Sequence, residues 1–230
     1  MIAPKISIRG GRFTAVTDVS AEDVSTNISV VIVGANSRLS KSWYKEEWTD
    51  DNESNAPDCF SLDGVKPSDN SEFIQSDICV SCPQNAWGSK ITPTGNKVKA
   101  CADQKRLAVV FSDKVEGDVY LLQVTPASLK SLNAYQKELS MRGIVPEIVK
   151  TKIAFEVDSP FPKLRFSFGG FNSDHDQTVV DKYLGTDEVK IITGELAVPS
   201  GTYITSTASS YGFTEEFGFT LNEQEGGSYE

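Results

Sequence analysis

All four cysteines of the chain fall within one stretch of 43 residues, at Cys59, Cys79, Cys82 and Cys101. The middle two form a C-x2-C knuckle, Cys79-Val80-Ser81-Cys82, separated from the outer two by nineteen and eighteen residues. Two intervening residues let both sulfurs turn toward one point, and two further thiolates complete a tetrahedron of the kind zinc takes. The surrounding segment has little else to fold on. From Tyr44 to Asp77 it is polar and acidic, with few branched aliphatics. A structural zinc held by Cys59, Cys79, Cys82 and Cys101 would supply the folding energy that a core does not.

Disulfides are the competing explanation, and four cysteines pair in three ways. The N-terminus, Met1-Ile2-Ala3-Pro4-Lys5, runs into an alternating strand pattern without the 7–15 apolar residues of a signal peptide. No apolar run approaches the ~20 residues of a membrane span. The expectation is a cytoplasmic protein, in a reducing compartment where thiols stay free. The sole histidine, His175, lies far along the chain in a polar stretch, so no Cys/His nucleophile pairing is indicated.

The formal net charge is −10, which alone argues against a simple basic DNA-binding surface. Charge is nonetheless segregated. Between Trp43 and Asp77 ten acids face only Lys45 and Lys66, whereas between Gln84 and Arg106 five bases (Lys90, Lys97, Lys99, Lys105, Arg106) face Asp103 alone. After Gly212 the chain carries five glutamates and no base. A solvated face is the plain reading of the acidic block.

Residues 5–15 alternate around Gly10-Gly11, which suggests a bulged strand, and 28–34 (ISVVIVG) form a β-branched run typical of a buried strand. Residues 36–105 have weak periodicity and many turn residues, the pattern of an insertion tied together rather than packed. Strands are expected at 107–112 and 119–125. A helix follows, with Thr125 as cap, Pro126 in the first position, Leu129, Leu132, Tyr135 and Leu139 on one core-facing stripe, and Gly143 as its stop. Strands are expected again at 148–157 and 163–169, where Leu164, Phe166 and Phe168 oppose Lys163, Arg165 and Ser167, and a weaker one at 188–198. One helix between two groups of antiparallel strands points to a mainly β fold, an OB-like Greek-key barrel carrying the four-cysteine zinc-type loop region. A sandwich is the alternative. The expected division is one domain over residues 1–208 with its insertion at about 36–105, and an acidic flexible tail over 209–230.

Enzyme signatures are missing. No phosphate-binding G-x4-G-K-[ST] or dinucleotide-binding G-x-G-x-x-G is present, and Val80-Ser81-Cys82-Pro83 lacks the histidine and glutamate of a zinc deaminase. A zinc held by four cysteines leaves no open position for water and is structural rather than hydrolytic. Binding is better supported. Unpaired nucleic-acid strands are held by aromatic stacking and by phosphate contacts to Lys and Arg. These residue types interleave in two places. Trp43, Tyr44 and Trp48 lead into Trp87 with Lys90, Lys97, Lys99, Lys105 and Arg106, and the late strands hold Lys150, Lys152, Phe155, Phe161, Lys163, Arg165, Phe166 and Phe168. The candidate DNA-binding residues are Trp87, Lys90, Lys97, Lys99, Lys105, Arg106, Lys152, Phe155 and Arg165. The same lysines could merely balance the acidic block, and most strand phenylalanines belong to cores.

Three runs carry a resemblance: Pro57-Asp-Cys59-Phe-Ser61-Leu-Asp-Gly64-Val-Lys-Pro67, then Cys79-Val-Ser-Cys82-Pro-Gln-Asn85-Ala-Trp87-Gly88-Ser89, then Lys99-Ala-Cys101-Ala-Asp-Gln-Lys105-Arg106-Leu-Ala-Val. Over residues about 5–170 the chain resembles a family of bacteriophage proteins regarded as single-stranded DNA-binding proteins. The resemblance implies an OB-type core, a role in phage DNA replication or recombination in the host cytoplasm, and a zinc-stabilised insertion with Cys59, Cys79, Cys82 and Cys101 as ligands. It implies no particular DNA-contacting residues. Members of such groups often end in an acidic segment that recruits replication or recombination proteins, although the glutamates here are sparse and the chain ends in Tyr229-Glu230. The expectation is a non-enzymatic single-stranded DNA-binding protein. The alternative is a phage interaction or virion protein whose zinc loop is purely structural, and a magnesium nuclease using the acidic block ranks third.

Overall fold

A computed structural model of the chain describes residues 4–46, 56–92, 95–159 and 161–196. The expected tail, 209–230, and Trp48 lie outside the described residues. Among the described residues, twelve strands and three α-helices follow one another: β1 (Lys5–Arg9), β2 (Arg12–Val16), β3 (Ala21–Ser25), β4 (Asn27–Ala35), β5 (Ser40–Trp43), β6 (Cys59–Ser61), β7 (Lys90–Ile91), β8 (Lys97–Val98), β9 (Ala102–Phe111), β10 (Tyr120–Val124), α1 (Pro126–Met141), β11 (Val149–Phe155), β12 (Leu164–Phe171), α2 (Asp174–Val180) and α3 (Asp187–Thr193). Gly10 and Gly11, both at positive φ, make a two-residue hairpin turn between β1 and β2 instead of the expected bulge.

Ten strands form one sheet. Eight run in the order β12-β11-β4-β9-β10-β1-β2-β3, and β5 joins β9 and carries β6. The pairing of β1 with β10 is parallel and the others are antiparallel. The sheet curls strongly into a half-barrel. The curl brings Phe13 of β2 onto Phe155 of β11, five strands away in the sheet, with stacked rings 4.6 Å apart.

The central strands bury both faces. On the concave side Val30, Ile32, Leu107, Val109 and Leu122 meet the α1 stripe of Leu129, Leu132, Tyr135 and Leu139, so the trough of the half-barrel is filled by a helix. On the convex side Val31, Val33, Ala108 and Val110 meet Val179, Val180, Val189 and Ile192 of α2 and α3. Two-faced burial is why 28–34 lacks polar alternation. Gly34 permits the approach, since a Cβ there would lie 2.4 Å from a Val189 methyl.

The single expected helix becomes three, and the expected strand at 188–198 is instead α3. Thr186 caps it by accepting from Val189 N–H, and Gly194, at φ 83°, closes it. Burial of Val189, Ile192 and Thr193 follows helical spacing. The segment contains the β-branched pair Ile191-Ile192, but caps and packing outweigh intrinsic preference. Among the described residues no helix is long and apolar enough to cross a membrane.

Candidate functional site

The cysteine-bearing lobe grows from the N-terminal half of β9. Its upper half, from Lys105, pairs with β10, and its lower half, Ala102 to Gln104, pairs with β5, which pairs on with β6. Side chains two apart on a strand share a face. Lys41 stands opposite Asp103 on one side and Ser61 on the other, while Trp43 stands opposite Cys59. One face of this small sheet therefore presents Cys59 and Ser61, Lys41 and Trp43, and Asp103 with Cys101 just before the strand. The knuckle packs over that face as two 3-10 turns, Cys79–Ser81 and Pro83–Asn85. It is pinned by Cys79 N–H donating to Val65 O (2.9 Å) and Cys101 N–H donating to Gln84 O (2.9 Å).

All four cysteines, with Lys41 and Trp43, line one cavity of about 20 Å³, the volume of a single small atom or water. The four are free thiols, three of them buried. Burial pushes the Cys101 thiol up to about 12 and raises that of Cys79, and the Lys41 charge opposes both shifts. Among the described residues no three His, Cys, Asp or Glu side chains stand at metal-holding geometry. The donor set and the shared cavity suit a tetrahedral thiolate ion in chemistry, and the sulfurs would have to draw inward to grip one.

Little hydrophobic burial holds the lobe otherwise. Asp63 Oδ1 accepts from Val65 N–H (2.8 Å), Lys66 N–H (3.3 Å) and Ser61 Oγ–H (2.9 Å). Partial burial works to raise the Asp63 carboxyl, but these donors outweigh it and hold it below the usual range. Gly64 allows the turn: its φ is +69° and a Cβ there would lie 2.1 Å from Leu39 O.

The expected DNA-binding residues separate into groups. Trp87 is 50 % exposed beside the knuckle, and the stem of Lys97 lies against neighbouring Gly88. Lys90 and Lys97 stand on the β7–β8 hairpin, where Lys90 pairs with Val98 and Lys97 with Ile91. Lys99 pairs with Asp103 (3.1 Å), and Lys105 donates to Asn36 O. Arg106 corrects the expectation. It is only 7 % exposed, and its Nε and Nη2 both donate to Ile192 O (3.1 and 2.7 Å) at the C-terminal end of α3, where a cation suits the helix dipole. It is buried where no phosphate reaches it. Phe155 is likewise occupied by Phe13. Lys152 and Arg165 are exposed on the outer face of β11 and β12, as alternation predicts.

These two surfaces are far apart. Lys152 pairs with Ser29, whose carbonyl accepts from Ser112 N–H. Ser112 and Cys101 bracket the two ends of β9 (Ala102–Phe111), a strand of at most roughly 33 Å at ~3.3 Å per residue. Sequence reasoning missed Lys41 and Asn85, which organise the cavity wall. Only the alternation of Lys41 with Trp43 hinted at the shared face, and Asn85 stood in the run that carries the family resemblance without a role being assigned to it. No family model matches the chain, and no curated protein or solved structure is significantly similar to it.

Proposed function

We propose that the chain is a non-enzymatic, sequence-independent single-stranded DNA-binding protein acting in phage DNA replication or recombination. On this reading the curled sheet is an OB-like barrel and the lobe is held by a structural zinc on Cys59, Cys79, Cys82 and Cys101. The observation that carries it is the half-exposed indole of Trp87, presented beside the Cys79–Cys82 knuckle with a lysine stem against the adjacent glycine. Bases stack on Trp87, and phosphates meet Lys97 and Lys90. Lys152 and Arg165 offer a second cationic surface at the far end of the sheet. The acidic segment 209–230 is where replication or recombination proteins attach.

A stacked base contributes about 1–3 kcal/mol. Titration of a labelled oligo(dT) at low salt therefore gives saturable binding that Trp87→Ala weakens by roughly 5–150-fold. A flat titration of the intact protein ends the reading.

One observation favours a protein-docking role instead. Val80, at the knuckle tip, is 82 % exposed, and Phe73, Ile74, Ile78 and Ile91 are exposed on the same lobe. Under that reading neither Trp87 nor the lysines alter any oligonucleotide binding.

A further inference from the structure

We infer that Lys41 is the positioning cation of the four-cysteine centre, fixing the walls that carry the thiols and offsetting the surplus negative charge of a loaded site. The inference rests on the zinc reading above and deepens it.

Lys41 reaches three walls of the cavity at once. Its Nζ donates to Asn85 Oδ1 (2.9 Å), and Asn85 Nδ2 in turn donates to Cys79 O (3.0 Å), which ties the ammonium to the knuckle. The same Nζ donates to Asp103 Oδ1 (2.5 Å), two residues beyond Cys101. Its backbone pairs with Ser61, two residues beyond Cys59. The side chain is only 13 % exposed, so the ammonium is largely removed from water and needs compensation.

Asp103 gives incomplete compensation, because it also accepts from Lys99 Nζ (3.1 Å). Lys41, Lys99 and Asp103 form one cluster of two ammonium groups and a carboxylate, of which Lys41 and Asp103 bear on the Cys101 thiol. A cluster of neutral thiols gains nothing from a buried surplus cation. Four thiolates around a divalent ion carry −4 +2, a net charge of −2, and gain directly from it. Lys41 is the charge at the thiols whose sign a tetrathiolate centre needs. Groups that orient metal ligands from the outer shell typically change metal affinity by about 10–100-fold when removed.

The test uses the full chain as wild type, Lys41→Met, which keeps the stem without the charge, and Lys41→Gln, which keeps a polar hydrogen-bonding end without the charge. Zinc affinity is read by competition with a chromophoric chelator. The thiolate-to-metal charge-transfer bands of the cobalt(II)-substituted protein report ligand geometry, which a merely structural lysine would leave unchanged. The expected result is zinc binding about 10–100-fold weaker in both variants, with altered cobalt bands. If Lys41→Met does not fold, Lys41→Gln decides. Both variants binding zinc within twofold of wild type, with unchanged cobalt spectra, overturns the inference and leaves the zinc reading standing. A wild-type chain that takes up neither metal removes the zinc reading itself and the inference with it.

Discussion

The half-barrel and the cysteine lobe share strand β9 yet are held by different physics. In the half-barrel, Phe13, Leu107, Leu122, Leu132 and Ile153 are fully buried, and both faces of the central strands are covered. In the lobe, the buried apolar atoms are chiefly cysteine sulfurs, and the chain is held by side chains bonding the backbone at Asp63, Ser89 and Asn85. The difference shows how one continuous strand can serve a region that folds by excluding water and another held chiefly by hydrogen bonds.

The largest effect that would sharpen this contrast lies in the half-barrel. Phe13→Ala removes a fully buried ring and its stacking partner for Phe155, and lowers unfolding free energy by about 3–5 kcal/mol in urea melts. An effect below about 1 kcal/mol would show that the curled sheet is not closed by that ring pair.

Legibility in the sequence follows the same division. Periodicity identified α1, its Pro126 start and its buried stripe, along with the cores of β4, β9, β10, β11 and β12, because those elements bury one or two regular faces. It missed β3, whose sequence Ala21-Glu-Asp-Val-Ser25 carries no apolar alternation, and it took α3 for a strand. Spacing led to the expectation of a four-cysteine metal site; the four cysteines line one cavity, but among the described residues they do not stand at metal-holding geometry. Arg106 was not placeable, because its carbonyl partner lies 86 residues away and only the tertiary fold brings Ile192 to it. Lys99 and Lys105 are likewise engaged by groups close in space. Composition counts charges but does not say which of them the fold itself uses.

Charge reversal separates the two cationic surfaces. Lys97→Glu weakens oligonucleotide binding and lowers the salt slope by about 0.7 for each phosphate the protein no longer neutralises. Comparison with Lys152→Glu, level with the opposite end of β9, shows whether a single strand engages one end of the sheet or both. Equal binding by wild type and both variants removes the nucleic-acid reading from these surfaces.

The smallest effect lies in the lobe. Asp63→Ala removes the acceptor for three donors and costs about 1 kcal/mol of local stability, read as faster hydrogen exchange at Val65 and Lys66. Because the folded Asp63 carboxyl sits below its usual value, its contribution is present in full above the unfolded value near pH 4 and fades as pH falls through the lower folded one. The variant and the wild type therefore converge under strongly acid conditions. A difference that persists there would locate the effect elsewhere.

Metal content of the purified chain, measured by native mass spectrometry before and after chelation, with hydrogen exchange followed in the same samples, tests the division of labour most directly. The account predicts one zinc per chain, and its removal frees the amides of residues 59–101 while those of β4, β9 above Lys105 and α1 stay protected. A metal-free chain whose 59–101 amides are already protected would contradict it.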